Sequence, residues 1–137
     1  MRLSTPTSVH AAIGDALADV PDVAFALVFG SRARGTAHAD SDIDVALDFG
    51  RGRRPGAYEI GTIVSRLEEA AGQSVDVVVL DDAPPGLAYR VFRDGVTVLV
   101  RDRSALVERK ARAILEYLDF QPFEEALSKA VLARRSR

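Results

Sequence analysis

The sequence contains no cysteine among its 137 residues. Disulfide frameworks, thiolate zinc sites and a cysteine nucleophile are therefore excluded. Long hydrophobic runs are missing as well: the longest, Val23 to Phe29, is far shorter than the ~18 residues of a membrane-spanning helix, so no membrane partner is expected. The first residues also lack the charged and then apolar pattern of a signal peptide. We therefore expect a cytoplasmic protein.

Neither sign of charge dominates the sequence. The 18 Lys and Arg residues are opposed by 20 Asp and Glu residues, which gives a net charge of -2. This balance excludes a module that holds nucleic acid by bulk positive charge, and direct nucleic-acid binding is not expected. The fractions of 47% hydrophobic and 28% charged residues are typical of a folded domain. A chain of this size has little room for a separate substrate-recognition domain.

Helical and strand periodicities alternate along the chain. Apolar strand patterns occur at 23–29, 43–47, 75–80 and 96–100, with helical patterns before the first strand, at 60–67 and at 87–92. Residues 103–137 follow a helical pattern, with a predicted break at Asp119 to Pro122. This order predicts an α+β fold with a small mixed sheet flanked by helices. We expect a core over 1–102 and a C-terminal helical extension over 103–137, packed on the core or on a partner, within a single domain.

Two aspartates mark the candidate chemistry. Asp42 and Asp44 are two residues apart on a predicted strand, so their carboxylates project from the same face. Adjacent like charges are usually compensated by a bound cation, and oxygen donors alone favour Mg²⁺ or Mn²⁺ over zinc. Asp76 interrupts the otherwise apolar strand 75–80, where an unpaired acid is costly. It is the best candidate for the third acid of a two-metal site.

A small polar segment follows the first predicted strand. Gly30 and Ser31 lie where this strand meets a predicted turn and short helix, and free backbone N–H groups at such a place bind phosphate. The Ser31 hydroxyl adds a donor, and Arg32 and Arg34 offer charge to phosphate oxygens, with ordinary surface charge as the alternative. Acids that hold metal opposite a phosphate-binding turn are expected for phosphoryl or nucleotidyl transfer.

The spacing of these residues resembles a known signature. Gly30-Ser31, ten further residues and Asp42-Ile43-Asp44 are similar to the motif of the DNA polymerase β-type nucleotidyltransferase superfamily. The closer resemblance is to the minimal nucleotidyltransferases, and it extends through Asp76 and its neighbours to residues 117–120. It implies a polymerase β-like fold and transfer of AMP from ATP. It also implies that Asp42 and Asp44 hold two Mg²⁺ ions, that Asp76 holds the catalytic ion and helps to deprotonate the acceptor, and that Gly30 and Ser31 bind the β- and γ-phosphates.

The resemblance also suggests a partner. Many minimal nucleotidyltransferases act as the antitoxin of a HEPN-domain ribonuclease toxin, and some transfer AMP to a tyrosine of that toxin. The resemblance therefore implies a magnesium-dependent protein adenylyltransferase with a HEPN toxin as acceptor. Two alternatives remain open from the sequence: an antitoxin that neutralises by binding alone, and a free-standing transferase that acts on a small hydroxylated molecule.

Overall fold

The computed structural model describes residues 8–30, 42–51 and 53–135. Helices and strands alternate through these residues, as the sequence periodicity predicts. In chain order they are α1 (Ser8–Ala18), β1 (Phe25–Phe29), β2 (Ile43–Asp48), α2 (Ala57–Ala71), β3 (Val75–Val79), a 3₁₀ turn (Leu80–Asp82), α3 (Pro85–Asp94), β4 (Val96–Val100) and α4 (Arg103–Arg135).

The strands form a mixed sheet in the order β3-β2-β1-β4. Strand β1 pairs antiparallel with both β2 and β4, whereas β2 and β3 are parallel and are connected through α2. A parallel pair needs such a crossover, because the chain must return to the end at which the first strand began. The predicted α+β class with a small mixed sheet is therefore confirmed, and the starts of β2 and β3 lie at the same end.

Helices cover both faces of the sheet. Alternate residues of β2 point to opposite faces, so Ile43, Val45 and Leu47 are fully buried on the face covered by α1 and α2. Ala46 is buried on the other face, where Val91 of α3 and Ala113 of α4 pack. Since Asp44 has the same parity as Ala46, its side chain leaves the sheet on the α3 side, at the edge of this second core.

The predicted break at Asp119 to Pro122 is wrong, because α4 continues for 33 residues with Pro122 inside it. A proline removes one N–H and leaves the carbonyl four residues earlier, that of Leu118, without its helical partner. Leu118 is 56% exposed, so water can take the place of that partner. The helix is about 50 Å long, and its described side chains from 125 to 133 are all exposed.

None of the described helices is long and apolar enough to cross a membrane.

Candidate active site

The predicted acids meet where β2 and β3 begin. Asp44 and Asp76 are direct partners in the parallel register of the two strands, and adjacent strands are separated by about 4.8 Å. Asp42 comes immediately before β2 and has the same parity as Asp44. Asp42 and Asp76 are exposed, whereas Asp44 is half-buried. The fold therefore places three carboxylates on one face and at one end of the sheet.

Burial raises the pKa of Asp44 above its ordinary value of 3.8, and the neighbouring carboxylates of Asp76 and Asp42 raise it further. The charged form of this side chain is therefore disfavoured by both desolvation and repulsion. Within the described ranges, no three acidic or histidine side chains already form a metal-binding cluster. The donors are nevertheless all carboxylate oxygens, which suit Mg²⁺ or Mn²⁺, and a cation here would relieve the repulsion at Asp44.

Removal of the Asp44 charge is expected to stabilise the metal-free protein. Because the folded-state pKa of Asp44 is raised, its charge destabilises the fold above that pKa, and the penalty fades as the pH falls towards 3.8. Asp44→Asn should therefore increase the free energy of unfolding at neutral pH and reduce the stability gained on acidification. Urea denaturation in EDTA at neutral and mildly acidic pH measures both effects.

The pKa of Asp48 is also raised by burial, but Asp48 titrates in the wild type and in the variant alike, so its contribution cancels in the comparison. An Asp44→Asn protein that is less stable than the wild type at neutral pH would contradict this account of the electrostatics.

Gly30 packs directly against the Asp44 side chain. It follows β1, whose last residue Phe29 pairs with Asp44, and its φ of +77° lies in the left-handed region. A Cβ at this position would overlap Asp44 Oδ2. Both the backbone angle and the close approach therefore require glycine. Gly30 thus joins the three acids, while the other predicted phosphate-binding residues, Ser31, Arg32 and Arg34, lie outside the described residues.

A contact that the sequence does not reveal fixes the start of β3. The backbone N–H of Val75, the residue before Asp76, donates to Glu68 Oε2 of α2 at 3.0 Å. One residue earlier, the Ser74 carbonyl accepts a hydrogen bond of 3.0 Å from the N–H of Ile43. These two bonds hold opposite sides of the single peptide group that joins Ser74 to Val75, and so help to determine where Asp76 stands relative to Asp44.

The opposite end of β2 is occupied by ion pairs. A cavity of about 380 Å³ lies there between Asp48 and α4. Arg109, which is only 6% exposed, donates to the Leu80 carbonyl at 3.0 Å and has its Nε 3.5 Å from Asp81 Oδ1. Because Arg109 of α4 contacts both Leu80 and Asp81 in the turn after β3, we interpret these contacts as structural ones that fasten α4 to the sheet.

A profile of the family described as "Polymerase beta, Nucleotidyltransferase" matches residues 12–104, which include Gly30 and the three acids. The protein adenylyltransferase MntA of Thermococcus cleftensis is 37% identical over 71 residues, which cover 52% of this chain and 70% of that protein.

Solved structures with the same fold come from toxin–antitoxin complexes. One, a toxin–antitoxin with AMP-PNP, superposes with a TM-score of 0.77 at 24% identity and covers 90% of this chain and 98% of that one. A second, a tri-AMPylated Shewanella oneidensis HEPN toxin in complex with an MNT antitoxin, gives a TM-score of 0.72 at 21% identity, with 90% and 96% covered. Both are similar to this chain over nearly its whole length, which includes most of α4.

Proposed function

The chain belongs to the polymerase β nucleotidyltransferase family, and from this membership we propose that it is a protein adenylyltransferase and antitoxin. In this proposal it transfers AMP from ATP to a hydroxyl group, that of a tyrosine, on a HEPN-domain toxin in the cytoplasm. The observation that carries the proposal is the register of β2 and β3, which sets Asp76 beside Asp44 at the end where Asp42 and Gly30 also lie. The names of the similar proteins support the choice of AMP and of a toxin as acceptor.

Asp42, Asp44 and Asp76 would hold two Mg²⁺ ions, since they form an all-oxygen donor set in which burial and then the neighbouring carboxylates raise the pKa of Asp44. When bound, such ions neutralise charge on the attacking and leaving oxygens of an in-line displacement. The residues of this chain would supply the rest. Asp76 would accept the proton of the acceptor hydroxyl. Of the two paired strand acids, Asp44 and Asp76, it is the more exposed and so the more accessible to an incoming group.

The reaction exchanges one phosphorus–oxygen bond for another. The acceptor oxygen forms a bond to the α-phosphorus of ATP, the bond from that phosphorus to its bridging oxygen breaks, and pyrophosphate leaves. Gly30 and Ser31 would hold the β- and γ-phosphates from the end of β1, with Arg32 and Arg34 adding positive charge. Gly30 also keeps the Asp44 carboxylate in place, since the two are in direct contact.

We assign these roles to a core over 1–102, with 103–137 as the extension that completes the fold and faces the partner. The hydrophobic side chains that α4 leaves exposed beyond the core support a partner on this segment. Leu127 is 57% exposed and Leu132 is 60% exposed.

Intact-mass spectrometry of the partner tests the proposal. The full chain is incubated with ATP, Mg²⁺ and the HEPN-domain protein proposed as its acceptor. We expect the partner to gain one or more AMP-sized increments, and the increments to disappear when EDTA is added. Neutralisation of the toxin with no change in its mass would instead favour an antitoxin that acts by binding alone, and AMP on a small alcohol but not on the protein would favour a small-molecule transferase.

A further inference from the structure

The strand that carries Asp76 has an open edge. Strand β3 is the outermost strand, and in the described part of the chain it pairs only with β2. Because the Ser74 carbonyl accepts from Ile43, the backbone groups of Asp76 and Val78 also point towards β2. The backbone groups of Val75, Val77 and Val79 therefore point outwards. The hydrogen bond from the Val75 N–H to Glu68 agrees with this alternation.

A groove of about 510 Å³ follows this edge. Its floor is Val77 to Val79, and its two walls are the start of α2 and the turn that leads into α3. The walls are mostly apolar, with Pro55, Ala57, Ile60, Ala83, Pro84 and Leu87, and the charged wall residue Asp82 is paired with Arg54. Outward backbone donors and acceptors at the base of an apolar groove are the two features by which a sheet edge binds an extended peptide.

We propose that this β3 edge binds an extended segment of the acceptor protein, which adds to the sheet as a further strand. The inference rests on the proposed function and names the part of the chain that recognises the protein substrate. Val77 directly follows Asp76, and Val79 is three residues from it, so a segment on this edge reaches within about 10 Å of the acid. Because Glu68 already occupies the outward N–H of Val75, the docked strand pairs with Val77 and Val79, and the residues that follow it bring the hydroxyl group to Asp76.

The shape of the groove favours the acceptor over a second copy of this chain. Each copy presents its edge between two walls, formed by α2 on one side and by the α3 turn on the other. Pairing of two copies edge to edge would bring these walls of one copy against those of the other. A single extended segment with small or branched apolar side chains has no such walls, and its backbone can reach Val77 and Val79.

Val77→Pro tests the backbone contact. Proline removes the outward N–H and leaves the β2–β3 ladder intact, because proline is tolerated where the N–H of an edge strand faces away from its neighbour. With the proposed HEPN-domain protein as acceptor, we expect the KM for that protein to rise about tenfold, as loss of a hydrogen bond and of close fit implies. The affinity for Mg·ATP, measured by calorimetry, should not change.

A matched pair of variants on α2 tests the groove wall without altering the strand. Ala57 and Ser65 are both exposed on this helix, but only Ala57 lines the groove. Ala57→Glu should raise the KM for the acceptor protein, and Ser65→Glu should leave it at the wild-type value. Both variants should retain the wild-type affinity for Mg·ATP.

The possible failures are distinguishable. If the wild type transfers AMP and neither Val77→Pro nor Ala57→Glu changes the KM, the edge is not the docking site and the proposed function stands. If sedimentation shows a wild-type dimer that Val77→Pro dissociates, a second copy occupies the edge and the inference is overturned. If the wild type transfers no AMP to the protein, the proposed function itself fails, together with this inference.

Discussion

Asp42→Ala and Asp44→Asn are each expected to lower the rate of AMP transfer about 10³-fold or more. Loss of a metal ligand removes several kcal/mol of transition-state stabilisation, and each ~1.4 kcal/mol corresponds to a factor of ten in rate. Asp44 should be the more sensitive position, because it is half-buried and pairs with Asp76 across the two strands. Single-turnover transfer of labelled AMP from ATP to the proposed HEPN-domain acceptor measures the effect.

Asp19→Asn is the matched control for the loss of one negative charge outside the proposed site. Asp19 is 76% exposed and lies 3.8 Å from Arg66, an exposed ion pair that contributes little to stability. This variant should transfer AMP at the wild-type rate. Since Asp44→Asn should also be more stable than the wild type without metal, unfolding cannot explain its loss of activity. Transfer at near wild-type rates by both site variants would show that the start of β2 is not the active site.

Gly30→Ala is expected to reduce AMP transfer about a hundredfold, which is the effect of displacing a catalytic group by roughly 1 Å. Two consequences of the added methyl group combine here. The φ of +77° is unfavourable for alanine, and its Cβ would overlap the Asp44 carboxylate. Either the carboxylate or the backbone after β1 must move, and both belong to the proposed site. The rate of transfer and the free energy of unfolding should be measured together.

Gly72→Ala separates these two consequences. Gly72 ends α2 with a φ of +71°, but an added Cβ there would have no neighbour within 4 Å. Both variants should therefore lose about 1–2 kcal/mol of stability from the left-handed backbone, whereas only Gly30→Ala should lose transfer activity. Equal activities of the two variants, whether high or low, would contradict a positioning role for Gly30.

Most residues of the candidate site could be predicted from the sequence, but how they come together could not. The spacing from Gly30 to Asp42 and Asp44 led to the family, which the profile match over 12–104 confirms. Alternation along a strand was enough to place Asp42 and Asp44 on one face. The pairing of Asp44 with Asp76 depends on contacts between distant residues, such as Glu68 with Val75, and no local pattern encodes these.

For α4, in contrast, a local sequence rule gave the wrong prediction. A local rule, that proline ends a helix, led to a predicted break at Asp119 to Pro122, because proline removes a hydrogen bond and crowds the carbonyl four residues earlier. Leu118, which carries that carbonyl, is exposed, so water can replace the lost partner where the helix continues through Pro122. The groove beside β3 could not be predicted either, because its walls come from α2 and from the turn before α3, which meet only in the folded chain.

The ion pairs at the far end of β2 also bear on how this protein can be engineered. Asp48 is four residues from Asp44, which corresponds to about 13 Å along the strand. Substitutions that far apart, with no shared partner, usually have additive effects on stability. The network of Asp48, Asp81 and Arg109 can therefore be redesigned in a library separate from that of the acids. Gains in thermal tolerance obtained at this end of the sheet should transfer unchanged to variants of the three acids at the other end.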